Sequence, residues 1–296
     1  MNEQRESVIA GAHLTGSVDH TTISNSTALP LREHRVNLMY STTTVISTTA
    51  PLPSSLRTTR DRAHSVEIFT GAGMSADSGL DTFRDAETGL WSHVDPQAMA
   101  SIDSWREDPA PMWAWYQWRE HCAREAQPHA GHKALARWAA RDGVSMHTTT
   151  QNIDDLHERA GVKDVAHLHG RLNEYRCSVC GKPAPGEEPP ARPVERLAPP
   201  RCVECGGTVR PSVVWFGEAL PSKDWSEAEA AMNDADLVVI IGTSGVVYPA
   251  ASLPTLAARR GVPIVEVSPA ETDLTQLATW SIRANAAEGL PWLIDQ

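Results

Sequence analysis

The run Val66-Glu67-Ile68-Phe69 leads straight into Thr70-Gly71-Ala72-Gly73, and this junction limits the possible folds more than any other stretch. A strand that feeds a tight glycine turn and then a helix is the unit from which nucleotide-binding α/β sheets are built. Gly71 and Gly73, with Ala72 between them, let the backbone approach a diphosphate, and the start of the next helix offers free N–H groups to its oxygens. Ala76 stands where the third glycine of G-x-G-x-x-G would fall. Taken alone, the turn also fits an ordinary strand-to-helix connection.

Four of the five cysteines form two C-x-x-C pairs, Cys177 with Cys180 and Cys202 with Cys205. Each pair sets two sulfurs on one side of a tight turn, and two such turns close a tetrahedral zinc site that leaves no position for water. Four thiolates therefore predict one structural zinc per chain, whereas redox chemistry would need no second pair. The stretch between the pairs is crowded with prolines and reads as an irregular, semi-rigid loop. Cys122 lies in a predicted helix with no motif around it.

Elsewhere, strand and helix patterns alternate. Val144 to Thr150 is a β-branched strand that ends in Gln151-Asn152-Ile153-Asp154; Asp236 to Ser244 is a buried strand closed by a second glycine turn; Gly261 to Val267 is another. Asp164 to Gly170 reads as a short strand with His167 and His169 facing alike. Asp103 to Ala126, led in by Asp108-Pro109, and Pro128 to Ala140 read as helices. The pattern predicts an α/β fold, a Rossmann-type parallel sheet with an inserted small four-cysteine zinc domain and a helical lid.

Residues 1–60 differ in kind. Ser and Thr crowd 41–59, charges are sparse and no period survives, so this stretch reads as a disordered extension. It could instead be a transit peptide, although Glu3, Glu6, Asp19 and Glu33 spoil the acid-poor pattern, or an overextended start with Met39 or a later site as the true beginning. The division is then 1–60 for the extension and 61–296 for the catalytic domain, with the zinc module at 171–213. The net charge of −11 argues against holding nucleic acid by general electrostatics. No apolar run long enough to span a membrane occurs and the N-terminus lacks a basic-then-apolar order, so a soluble cytoplasmic protein is expected, and separately a monomer.

From Gly71 onward the motifs resemble the sirtuin family. Gly71, Ala72, Gly73, Ser75, Ser78, Gly79, Phe83 and Arg84 keep the spacing of G-A-G-x-S-x-x-S-G-I-P-x-F-R, with Leu80 and Asp81 in place of Ile and Pro. Thr150 to Asp154 matches T-Q-N-I-D; His169-Gly170 matches H-G; Arg210 to Glu218 matches R-P-x-V-V-x-F-G-E; and Gly242-Thr243-Ser244 opens the second glycine motif. Ser268 stands where the family usually has Asn in N-x-x-x-T, with Thr272 following, and its shorter reach to a ribose hydroxyl puts NAD affinity in doubt.

The resemblance implies an NAD-dependent protein-lysine deacylase. It implies NAD contacts from Gly71, Ala72, Gly73, Ser75, Phe83, Arg84, Gln151, Asn152, Asp154, Gly242, Thr243, Ser244, Ser268 and Ala287, and His169 as the general base. Val214, Phe216 and Gly217 would lie against the substrate peptide. Tyr116 and Arg119, at i and i+3 on the lid helix, resemble the Y-x-x-R of the class III subtype, which removes succinyl and malonyl groups. A phenol and a guanidinium on one face can grip a carboxylate together, and Ala86 would widen the pocket. The acyl oxygen would attack C1′ of the nicotinamide ribose, nicotinamide would leave, and O-acyl-ADP-ribose would form. An ADP-ribosyltransferase or NAD hydrolase would use the same site. A non-enzymatic NAD-binding module would not need His169, Asn152 and Asp154 together.

Overall fold

A computed structural model describes residues 42–80 and 99–296. Along them run strands β1 (Thr44–Ile46), β2 (Ser65–Thr70), β3 (Ser145–Thr150), β4 (Val165–His167), β5 (Gly170–Cys177), β6 (Pro183–Ala184), β7 (Val209–Val213), β8 (Leu237–Ile241), β9 (Ile264–Val267) and β10 (Trp280–Ile282). The helices are α1 (Ser54–Arg62), α2 (Ile102–Glu107), α3 (Pro109–Glu125), α4 (Ala130–Ala139), α5 (Leu156–Ala160), α6 (Ser222–Asp234), α7 (Pro254–Arg259) and α8 (Ala286–Asp295).

Seven strands pair in parallel in the order β1-β10-β9-β8-β2-β3-β4. All residues of β8 are buried, as expected for a strand covered on both faces. One face packs on α1, α4 and α8 through Leu56, Leu135, Trp138 and Leu290; the other packs on α6 and α7 through Phe69, Met232, Val238 and Leu253. The chain runs outward from β2 through β3 to β4, and in the other direction from β8 through β9 to β10. The order therefore reverses between β2 and β8, the place where open α/β sheets bind ligands.

A second core joins α2 and α3 to the antiparallel sheet β6-β5-β7, with Trp105, Trp113, Tyr116, Tyr175, Cys177, Cys202 and Trp215 in one cluster. Lid and zinc module are thus one small domain, since neither is large enough to bury its apolar face alone. The proline-rich loop reaches back to the lid: Arg196 donates to both carboxylate oxygens of Asp108 at 2.6 and 3.1 Å, and the Leu197 amide donates to the Ala110 carbonyl.

Four expectations change. Residues 42–60, expected within a structureless extension, carry β1 and most of α1, and β1 pairs with β10; Val45 faces solvent while Ile46 and Leu56 are buried, so few apolar residues suffice at a sheet edge. The helix expected from Asp103 to Ala126 is two helices. Asp108, forced toward extended backbone by Pro109, ends the first and caps the second by accepting from the Ala110 amide. The segment after the first glycine turn is two 3-10 turns, Ala72–Met74 and Ala76–Ser78, rather than an α-helix. His167 closes β4 whereas His169 lies beyond it, so strand alternation does not relate them.

Behind the glycine turn three imidazoles pack in a row, His129 tilted against His132 at 4.2 Å and His132 edge-on to His157 at 5.1 Å between ring centres. His129 caps α4: its Nδ1 accepts from the Gly131 amide, and its Nε2–H donates to the Met74 carbonyl. Burial first, then the neighbouring histidines, carries His132 down from 6.5 to about 2. Burial likewise takes His157 to about 4. Both are neutral when folded and must take up protons as the chain unfolds in acid, so their contribution to stability is present above pH 6.5 and is lost as pH falls. Each histidine should cost about 1.4 kcal/mol per pH unit in this range. The urea midpoint should therefore drop between about pH 6.5 and 5, and His157→Asn should flatten the slope; a midpoint level over that range would contradict the neutral buried pair.

Candidate active site

The two glycine turns touch each other. A Cβ on Gly71 would come within 2.7 Å of the Thr243 side chain, and one on Gly73 within 2.8 Å of the Gly242 Cα. Gly242 itself has φ +56°, in the left-handed region. The glycines thus let the β2 and β8 turns meet at the reversal point, and the backbone cradle they form fits a dinucleotide phosphate. Ser244 follows in the second turn, half-buried. Gln151 bridges the pair: its amide and side chain donate to the Thr70 carbonyl, and its Nε2 donates to Thr243 Oγ1 at 3.0 Å.

Beyond β3, Asn152 Nδ2 donates to Ser75 Oγ at 3.0 Å, and the Ser75 hydroxyl donates to Asp154 Oδ2 at 2.9 Å. The other Asp154 oxygen accepts from the Leu156 amide, opening α5. All three residues are buried. Burial pushes the Asp154 carboxyl above its usual range, partly offset by these hydrogen bonds. Such a relay of fixed polar groups beside the glycine cradle suits the ribose and carboxamide of a nicotinamide nucleotide.

His169 Nδ1 lies 3.0 Å from the Gln151 carbonyl oxygen. A carbonyl can only accept, so Nδ1 carries the hydrogen and Nε2 the lone pair. Burial lowers the His169 pKa, with the Gln151 bond opposing, so the imidazole is neutral at neutral pH and can act as a base through Nε2. His167 is committed elsewhere: its Nδ1 faces the Asn152 carbonyl and its Nε2 faces Glu158.

The His169 carbonyl accepts from the Val214 amide at 2.8 Å, which ties this histidine to the 214–217 strip. The Phe216 amide donates to the Ala100 carbonyl, and Phe216 and Gly217 are exposed. Trp215 turns inward and donates from Nε1 to the Tyr116 hydroxyl oxygen at 3.0 Å. Tyr116 is only 3% exposed, burial raises its pKa, and no acceptor among the described residues takes its own hydrogen. Arg119 lies against the rings of Trp115 and Tyr116, at 4.9 and 5.7 Å, and pairs with no carboxylate among the described residues. Among the described residues, these two donors on one helix face thus lack an acceptor.

On the far side, the Ser268 hydroxyl donates to the Ala270 carbonyl, which leaves only its lone pairs for a ligand. The Ala287 amide donates to Asp77, so the start of α8 is pinned to the first glycine turn. Buried Glu266 accepts from Thr272, Thr275, Ser281 and Arg283 and holds the loop after β9. Phe83, Arg84 and Ala86 lie outside the described residues. Trp215, Glu266 and Thr243's bridge to Gln151 were not singled out from sequence. Only Trp215 carried a signal, a polar indole inside the strip motif.

The four cysteine sulfurs lie within 4.8 Å of one another, Cys177 to Cys205 at 3.5 Å and Cys180 to Cys202 at 3.9 Å. A tetrahedral zinc with Zn–S near 2.3 Å sets its sulfurs about 3.8 Å apart, so the donor set fits zinc. Amides of Val179 and Cys180 point at Cys177 Sγ, as they do around thiolates. Among the described residues no other cluster gathers three metal-ligating side chains.

A parallel sheet with a glycine cradle at its reversal point, a buried neutral histidine near it and a four-cysteine cluster that fits a structural zinc define an α/β protein of the dinucleotide-binding class. The model of the Sir2 family matches residues 71–249. A relative from Corynebacterium efficiens, named NAD-dependent protein deacylase 2, is 64% identical over 234 residues, covering 78% of this chain and 92% of that protein. The structure of a Sir2 homologue in complex with NAD aligns with TM-score 0.77 and 41% identity over 83% of this chain and 94% of that one. A variant of a Sir2 homologue bound to 2′-O-acetyl ADP ribose aligns with TM-score 0.76 and 39% identity over 82% and 96%. The chain belongs to the Sir2 family.

Proposed function

We propose that this chain is an NAD-dependent protein-lysine deacylase that prefers succinyl and malonyl groups, also accepts acetyl, and releases nicotinamide and O-acyl-ADP-ribose. The deacylase reading is supported by the relatives' names. The acyl preference rests on one observation, a Tyr116 hydroxyl hydrogen and an Arg119 guanidinium on one face of α3 that meet no acceptor or carboxylate among the described residues. An acyl chain ending in a carboxylate brings the missing acceptor, and an acetyl group does not. We further place the protein in the cytoplasm as a monomer; no helix of the described residues is long and apolar enough to cross a membrane.

NAD, as co-substrate, supplies the electrophilic ribose carbon and the nicotinamide leaving group. The chain's own residues hold and orient. Gly71 to Gly73 and Gly242 to Ser244 take the phosphates; Ser75, Asn152 and Asp154 fix the nicotinamide end; and His169 Nε2 takes a proton from the ribose hydroxyls. The strip from Val214 to Gly217 receives the peptide beside the base, through main-chain bonds that read its sequence weakly.

Mass spectrometry of one succinylated and one acetylated peptide, with and without NAD, tests the reading. The succinyl group should leave faster, and only with NAD; NAD cleavage without loss of either acyl group would favour the hydrolase or ADP-ribosyltransferase instead. Arg119→Met should raise KM for the succinyl peptide about 10- to 100-fold, the worth of a hydrogen bond to a charged group, and change acetyl turnover only a few-fold. Equal losses on both peptides would mean that Arg119 merely supports the helix.

A further inference from the structure

We infer that Trp215 is a positioning residue for acyl selectivity: its indole N–H occupies the Tyr116 oxygen from one side and turns the phenol O–H toward the acyl carboxylate. This rests on the acidic-acyl reading above. Trp215 is 2% exposed, and its N–H can only donate, so the 3.0 Å contact makes Tyr116 the acceptor. The phenol must then place its own hydrogen elsewhere.

The indole cannot easily turn away. Its ring lies 5.0 Å from that of Trp105, and the Arg210 guanidinium stacks on it at 3.3 Å. Arg210 is itself held by both oxygens of Glu218, which also accepts from the Trp215 amide at 2.9 Å. Glu218, Arg210 and Trp215 thus fix one donor direction, and Tyr116 inherits it. An acetyl group has no carboxylate to read that direction, so the device acts on the choice between acyl groups.

Trp215→Phe removes the N–H and keeps an aromatic ring. The ratio of kcat/KM for succinyl over acetyl peptide should fall roughly five- to tenfold, the scale of one hydrogen bond, chiefly through KM of the succinyl peptide. In a Tyr116→Phe background the same substitution should move the ratio no further, because the hydroxyl through which it acts is gone. If Trp215→Phe does not fold, 3-benzothienylalanine at this position keeps the indole shape without the N–H. A ratio that stays put, or falls equally in the Tyr116→Phe background, would reduce Trp215 to packing and overturn the inference. If Tyr116→Phe alone leaves the ratio unchanged, the acidic-acyl reading itself fails and Trp215's role with it.

Discussion

His169→Ala should lower deacylation by roughly 100- to 10,000-fold while NAD still binds, the usual cost of losing a general base. The geometry is specific about why. The Gln151 carbonyl fixes the hydrogen on Nδ1, which leaves Nε2 as the only lone pair the ring can offer. NAD binding should survive because the cradle of Gly71 to Gly73 and the relay Ser75–Asn152–Asp154 are built on other elements. Burial lowers the His169 pKa, so the base form persists below the ordinary value of 6.5 and the acid limb of kcat/KM should lie under that pH. Isothermal titration with NAD, together with single-turnover kinetics, separates binding from chemistry. Unchanged turnover would show that another group carries the proton.

Removing the zinc should cost more than activity. Structural zinc sites bind with about 10–16 kcal/mol, and that energy is folding energy. Cys177 and Cys202 are buried in the same cluster as Trp113, Tyr116 and Trp215, so loss of the metal should loosen the lid helix that carries Tyr116 and Arg119. Elemental analysis should find about one zinc per chain. Cys177→Ala, or a chelator, should abolish the tryptophan near-ultraviolet signal of this domain along with deacylation. A zinc-free protein that is folded and fully active would rule this out.

Much of this was readable because local rules set it. The Val66 to Gly73 junction, the all-apolar Leu237 to Ile241 and the paired C-x-x-C turns each prescribe backbone and side-chain chemistry over a few residues. The same local rules failed at residues 42–60, where Ser and Thr read as structureless yet a strand and a helix form by packing at the edge of the sheet. They also could not say that His167 and His169 have separate partners, since strand alternation ends at His167.

The sequence by itself determined the parallel sheet and the four-cysteine cluster, and singled out His169 as the candidate base, because those depend on residue type at short spacing. Only the tertiary structure decided that Gly71 and Gly73 clear the way for Gly242 and Thr243, that lid and zinc module share a core, and that Trp215 reaches Tyr116. These contacts join residues far apart in the chain, and close approach between them is set by how whole elements pack, which no local pattern encodes.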